Sequence, residues 1–365
     1  MIRMNDFKAD PEDLIREEVA AAERVLRSGR FILGQEVTGF EAEWASFCGA
    51  AHAVGTGNGM DALEIGLRAS GIGPGDEVIT TPMTAFATVL AVFRTGATPV
   101  LADIDPATGI LDIESVRQCV TPKTKAVLLV HLYGQVTPME AWQSLCKEKG
   151  LRLFEDCAQA HGARWNGRSC GTFGQWGAFS FYPTKNLGAV GDGGALVTSD
   201  ARIAEQARML RNYGQSRRYL HPVIGLNSRL DEMQAALLSV RLRRLCAFVA
   251  RRREIAAAYR DGIRNARLTL LAKPARSEGH VYHLFVILCE ERDRLQAHLE
   301  ERNVESLIHY PVPVHRQEAC PDICRGQGGL RNAEEHARRC LSIPCHPYLS
   351  DKDVQEVIDA LNSHR

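Results

Sequence analysis

Gly177-Ala-Phe-Ser-Phe-Tyr-Pro-Thr-Lys185-Asn-Leu-Gly-Ala-Val-Gly-Asp-Gly-Gly194 is the stretch around which the rest of this chain is organised. A short apolar run ends near Ser180, a lysine follows in a loop, and glycine then recurs as far as Gly194. Glycine permits backbone shapes and close approaches that other residues forbid. A lysine held in such a loop is shielded, loses proton affinity and becomes an amine nucleophile toward an aldehyde. On an open loop the same lysine is merely solvated.

The segments on either side repeat one pattern. Short apolar runs at 51–54, 77–80, 99–102, 126–131, 151–155, 177–180 and 195–198 read as strands. Helical patterns at 60–70, 83–95, 113–120, 138–149 and 201–212 lie between most of them. The strands are rich in Val, Ile, Leu and Ala without strict alternation, which marks a sheet buried on both faces. Strand–helix alternation makes the class α/β, with a mainly parallel sheet between helices. Ligands of such sheets sit in the loops after the carboxyl ends of the strands.

The N-terminal segment 11–28 reads as a helix ended by Gly29. A long helical pattern runs from 231 to 264 with two apolar stripes, Leu238, Leu242, Leu245 and Val249 on one and Met233, Leu237 and Val240 on the other. Two stripes predict a helix buried on more than one side, as a link between domains or subunits is. Beyond it, 281–288 reads as a strand and 292–302 and 351–362 as helices. The expected division is a large domain over 1–240 and a smaller α+β domain over 241–365, with the N-terminal helix a candidate to pack on the latter.

Composition narrows the classes. The 365 residues carry 44 Lys and Arg against 44 Asp and Glu, which argues against nucleic-acid binding by bulk charge. Arg251-Arg252-Arg253 reads as a solvated helix face. No apolar run is long enough to cross a bilayer, and the first fifteen residues do not read as a signal peptide, so a cytoplasmic protein is expected. The 11 cysteines lack metal-type spacing. Cys320 with Cys324, and Cys340 with Cys345, enclose prolines and no histidine pair completes a zinc pattern, so no metal is expected.

Two further stretches carry chemistry. In Leu151-Arg-Leu-Phe-Glu-Asp156-Cys-Ala-Gln159-Ala-His161-Gly162 a buried strand delivers Asp156 at its end. That carboxylate is either a helix cap or the group that keeps a pyridine nitrogen protonated and makes the ring an electron sink. In Gly55-Thr-Gly57-Asn58-Gly59-Met60-Asp61 a strand runs through glycines into a helix. Free amides at a helix start form an anion site, though a tight turn explains the glycines equally. The spacing is not that of a dinucleotide fingerprint.

Taken together these stretches resemble the DegT/DnrJ/EryC1/StrS family of sugar aminotransferases, pyridoxal-phosphate enzymes of fold type I. The resemblance covers nearly the whole chain. It takes in Ser28–Gly34, His131-Leu-Tyr-Gly-Gln135, Gly225–Ala236, His309-Tyr-Pro-Val-Pro313, His315, Gln317 and Leu341–Pro344, besides the stretches above. It implies a mainly parallel seven-stranded sheet and a homodimer with active sites at the subunit interface.

Lys185 matches the family's Schiff-base lysine and proton shuttle, Asp156 the pyridinium partner, Gln159 the residue bonded to the phenolic oxygen, and Ser180 a phosphate ligand. Gly59 and Met60 match backbone phosphate donors with Asn58 beside them, and Asn227 an asparagine reaching the phosphate from the partner subunit. Where members carry Pro-x-x-Thr-(Phe/Tyr)-x-Ala-Thr, this chain has the shorter Pro82-Met-Thr-Ala-Phe86-Ala-Thr88. Phe86 is favoured as the ring that covers the cofactor, with Ala85 the alternative register and plain core the other role for Phe86.

The stretch from Phe181 to Gly194 looks like members that aminate carbon 3 of dTDP-3-keto-6-deoxyhexoses from an amino-acid donor, glutamate by family habit. Members acting at carbon 4 more often show a histidine and Gly-Glu-Gly-Gly there. Tyr182, His309, Tyr310 and His315 are candidates to touch sugar or nucleotide, while the prolines around the last three equally suit a fixed turn. Arg229 suits phosphate or an intersubunit ion pair. The alternatives are action at carbon 4 or on a UDP-sugar, and a cofactor-binding regulator in an antibiotic or polysaccharide cluster. The family's dehydratases replace the lysine with histidine, and Lys185 argues against them. A dinucleotide oxidoreductase fits the glycine spacing poorly.

Overall fold

A computed structural model describes residues 1–320, 323–326 and 328–365; the side chains of Cys324 and Arg325, and with them the pairing of Cys320 with Cys324, lie outside what it describes. The strands are β1 (His52–Thr56), β2 (Glu77–Thr80), β3 (Thr98–Leu101), β4 (Thr124–Val130), β5 (Arg152–Asp156), β6 (Arg164–Trp165), β7 (Arg168–Ser169), β8 (Gly177–Ser180), β9 (Gly194–Thr198), β10 (Leu268–Leu270), β11 (Phe285–Cys289), β12 (Cys324–Arg325) and β13 (Cys340–Ile343). The large sheet runs β1-β9-β8-β5-β4-β2-β3-β12. Pairings from β8 through β5, β4, β2 and β3 are parallel, while β9 is antiparallel to both β8 and β1. Those are the seven strands read from sequence, with β12 added in parallel at the β3 edge.

The helices that matter here are α1 (Glu12–Ser28), α2 (Gln35–Cys48), α3 (Gly59–Ala69) and α4 (Phe86–Arg94). One face of the sheet packs Val54, Val78, Leu128 and Leu196 against Leu63, Leu67 and Val92 of α3 and α4. The other packs Ile79, Val127, Leu129 and Val197 into a larger core with Phe40, Trp44 and Phe181. Burial on both faces explains why the strands read as unbroken apolar runs. A separate core, with Ile255, Tyr259, Phe285 and Leu341, joins β11 and β13 to the last helix, Asp351–Asn362.

The expected helix 231–264 is two helices, Glu232–Leu242 and Leu245–Gly262. The Arg244 N–H donates to the Arg241 carbonyl at 2.9 Å, an i to i−3 bond that tightens and ends the first helix. The guanidiniums of Arg243 and Arg244 turn to α1, reaching Glu17 at 2.8 and 2.7 Å. The stripes are real: Leu238, Leu245 and Val249 enter the large core, while Leu237 and Val240 meet Leu14, Ala21 and Val25 of α1. Thus α1 packs on the helix Glu232–Leu242.

Two other boundaries differ. The expected strand at 281–288 begins only at Phe285, because the Val281 N–H is drawn to the Gly134 carbonyl (3.0 Å), outside the small sheet. The expected helix at 83–95 begins at Phe86. Before it the Pro82 carbonyl accepts from Val314 N–H (3.0 Å) and the Met83 N–H donates to the Thr81 hydroxyl (3.1 Å), which holds this segment out of the helix.

No helix among the described residues is long and apolar enough to cross a membrane.

Candidate active site

Asp156 is the last residue of β5, Ser180 the last of β8, and the turn after β1 leads into α3, so one end of the sheet gathers all three stretches. Their closeness is visible in the glycines. A Cβ on Gly59 would lie 2.6 Å from the Ser180 Cβ, and one on Gly194 would lie 2.4 Å from the Asn58 carbonyl carbon. Asn58 caps α3, accepting from the Asp61 N–H at 2.8 Å. The start of α3, with Gly59 and Met60, is therefore pressed against the Ser180 hydroxyl, which makes an anion cradle at a helix N-terminus. The Gly57 N–H donates to the Ser228 hydroxyl at 3.0 Å, bringing the 225–230 segment alongside.

Asp156 is buried. Its Oδ2 accepts from the Thr88 hydroxyl at 2.8 Å and its Oδ1 from the Ala158 N–H at 3.1 Å. Thr84 and Thr88 hydroxyls lie 2.7 Å apart and extend this chain. Burial pushes the Asp156 carboxyl up, and the bonds from Ala158 and Thr88 and the charge of Lys185 oppose the rise. Lys185 is pulled down to about 8 by burial, with Asp156 opposing. The two groups thus feel each other across the site. Three imidazoles around Lys185, His161, His283 and His309, are held neutral chiefly by burial and secondarily by the lysine's charge.

Gln159 is fixed from both ends. Its Oε1 accepts from the Tyr133 N–H at 2.6 Å and its Nε2 donates to the Tyr310 hydroxyl at 3.2 Å. Tyr133 takes a left-handed backbone (φ 61°), which turns its N–H to Gln159. Its own hydroxyl donates to the His309 carbonyl at 2.6 Å and lies 2.9 Å from His336 Nε2. His309 and Tyr310 are therefore tied to the same site as Gln159. His315 is buried and lies 2.9 Å from Glu334. Phe86 is half-buried and packs toward Val89, Leu101 and Val314. Tyr182 and Asn227 are exposed, and Arg229 donates to the Asn212 side chain at 3.2 Å.

Thr88, Tyr133 and His283 received no role from the sequence. Thr88 carried a usable signal, the Ala87-Thr88 end of the quoted motif; Tyr133 lay inside one, while His283 had none. Among the described residues, His131, Glu155 and Cys157 form the one metal-type grouping. Glu155 is already satisfied by the N–H groups of Gly171, Phe173 and Gly174 (2.8, 2.7 and 2.8 Å) and by His131 at 2.9 Å, so the grouping anchors a loop.

The profile of the DegT/DnrJ/EryC1/StrS aminotransferase family matches residues 12–362. The chain belongs to that family. It is 48% identical over 356 residues to the dTDP-3-amino-3,4,6-trideoxy-alpha-D-glucose transaminase of Streptomyces venezuelae, covering 98% of this chain and 94% of that one. The crystal structure of S. venezuelae DesV in complex with a ketimine intermediate superposes with a TM-score of 0.95 at 48% identity, over 99% of this chain and 97% of that one. The Bacillus subtilis ntda structure with bound PMP gives 0.89 at 27% identity, over 97% and 82%.

Members of this family depend on pyridoxal phosphate. The residues present fit it: an anion cradle at α3, a buried carboxylate with no cationic partner in contact among the described residues, and a lysine of lowered proton affinity.

Proposed function

We propose that this chain moves an amino group from an amino acid, glutamate in particular, to carbon 3 of a dTDP-linked 3-keto-6-deoxyhexose. The observation that carries the proposal is the placement of Lys185, drawn down to about 8, within electrostatic reach of buried Asp156. The carbon and the nucleotide rest on relatives named for dTDP-3-amino sugars.

Pyridoxal phosphate, when bound, supplies an aldehyde that takes up the amino group and a ring that absorbs the electron pair of a broken C–H bond. The rest is work for this chain. Asp156, steadied by Thr88 and Ala158, would hold a proton on the ring nitrogen. Gln159 Nε2, which here donates to the Tyr310 hydroxyl, would meet the phenolic oxygen, and Asn58, Gly59, Met60 and Ser180, packed together at the start of α3, would hold the phosphate. Lys185 anchors the cofactor through Nζ. Its free, neutral Nζ would take the donor's α-proton and return it, as base and then acid. The keto acid leaves before the sugar enters, and the order then reverses, which gives ping-pong kinetics. Phe86 covers the ring in this reading. Tyr182, Arg229, His309, Tyr310 and His315 are the candidates to meet the sugar nucleotide.

The same reading makes the protein a homodimer. Tyr213, Tyr219 and Ile224 are exposed in the stretch that leads to Asn227, and a second copy covering them would let Asn227 reach the partner's phosphate. We place the domain division at about residue 240, supported by the break between Leu242 and Leu245 and by the separate core around Tyr259.

The test is a visible spectrum of the protein with pyridoxal phosphate. Yellow absorbance should appear, bleach with glutamate, and return with dTDP-3-keto-6-deoxyglucose. A bleach without return discards that sugar and keeps the aminotransferase; absence of colour in folded protein discards Lys185 as the anchor.

A further inference from the structure

β1 is an edge strand of the large sheet, and Gly55 near its end meets two side chains of opposite charge. The Gly55 N–H donates to Glu41 Oε1 of α2 at 2.7 Å, and the Gly55 carbonyl accepts from Arg211 Nη1 at 2.8 Å. That Nη1 also binds the same Glu41 oxygen. The Glu41 and Arg211 side chains are 13% and 9% exposed, so salt screens the pair little. Arg211 ends the helix Ala201–Leu210, and its own carbonyl accepts from the Ser228 N–H at 2.9 Å. The buried Ser228 hydroxyl in turn accepts from the Gly57 N–H at 3.0 Å.

Gly55 and Gly57 are therefore held by groups from three separate segments. Leu230 closes the arrangement: a Cβ on Gly55 would lie 2.9 Å from the Leu230 Cβ, so only glycine lets the 228–230 segment come this near. The chain then enters Asn58, Gly59 and Met60 at the start of α3. A helix N-terminus holds an anion only where its N–H groups converge on one point. A glycine-rich turn leading into it is free to wander unless something fixes it. Glu41 and Arg211 together carry no net charge, so the pair adds little field at the start of α3. What it adds there is position.

We propose that the Glu41–Arg211 ion pair, with Ser228, is a brace that positions the phosphate cradle without touching the phosphate. The inference rests on the reading of the start of α3 as the cofactor's phosphate site. Through Ser228 the brace also ties that cradle to the segment bearing Asn227.

The test compares two ligands that differ only in the phosphate group. Equilibrium dialysis gives the affinities of pyridoxal phosphate and of pyridoxal for wild type and for Glu41→Gln. Glutamine still accepts from the Gly55 N–H but leaves Arg211 without its counter-charge. Glu41→Gln should bind pyridoxal phosphate about tenfold or more weakly than wild type does, with pyridoxal affinity kept within about twofold. An equal loss for both ligands would make the pair a general support of the fold and overturns the proposal, as does an undiminished preference for pyridoxal phosphate. Because a stranded guanidinium endangers folding, Ser228→Ala is measured alongside. It removes the acceptor of the Gly57 N–H and strands no charge, and the same selective loss is expected; full preference in that variant overturns the proposal too. Wild type that binds both ligands alike overturns the cradle reading itself, and this inference with it.

Discussion

The Thr88 hydroxyl stands 2.8 Å from Oδ2 of Asp156, and both side chains are buried. A residue of α4 thus orients the carboxylate that β5 delivers. Thr88→Val keeps the shape and removes the donor, at a cost of about 1–2 kcal/mol to the placement of Asp156. Turnover should fall about tenfold with little change in the donor's KM. An unchanged kcat would mean that Asp156 needs no such steadying.

Asp156→Asn should act more severely. It removes the charge facing the ring, and turnover should drop on the order of a hundredfold or more. Pre-steady-state absorbance with glutamate would show the loss in the first half-reaction. A wild-type rate there would separate Asp156 from the ring.

Lys185 makes two predictions. Lys185→Ala should abolish transfer with an unaltered circular-dichroism spectrum, and wild-type turnover in that variant would remove the central claim. The second concerns pH. A lysine titrates near ~10.4 in the unfolded chain and at about 8 here. Between those values the unfolded chain binds more protons, so the cofactor-free protein should become more stable as pH rises through the window. Urea melts across that range test the sign. In the enzyme the neutral amine is the base, so kcat should rise with pH along an acidic limb.

Gly59→Ala would put a Cβ 2.6 Å from the Ser180 Cβ. The start of α3 must then move away from β8 and the cradle opens. Affinity for pyridoxal phosphate, read by equilibrium dialysis, should weaken about tenfold or more, a loss of about 1.4 kcal/mol. Binding as tight as in wild type would place the phosphate elsewhere.

Glu155→Gln offers the contrast. Glu155 accepts from three backbone N–H groups of the 171–174 loop and meets His131. Losing its charge should lower stability by about 2–3 kcal/mol and leave the cofactor's spectrum alone. A spectral change at full stability would assign this residue to the reaction.

Much of this was legible in the residues. The strands of the large sheet stand out because both faces are buried, and Lys185 and Asp156 because each sits in a run of unusual local composition. The join between helices at Arg243 and Arg244 was hidden, since the stripe Leu238, Leu242, Leu245 and Val249 continues in phase across it and the partners of those arginines lie in α1. Thr88 and His283 escaped for a related reason. Thr88 gains its meaning from Asp156, 68 positions away, a relation the Ala87-Thr88 end of its motif marks without naming the partner, and His283 from Lys185, a relation that leaves no local mark. The irregular course of Val281 to Leu284 was likewise set by the Gly134 and Tyr133 carbonyls.

Tyr133 joins Gln159 through its N–H and His309 through its hydroxyl. The segment expected to meet the sugar and the amide expected to meet the cofactor are therefore linked by a single rigid lever. On the proposed function, a sugar that moved His309 would also disturb Gln159 through Tyr133. Discrimination between acceptors would then act on the electronic state of the reacting ring as well as on fit.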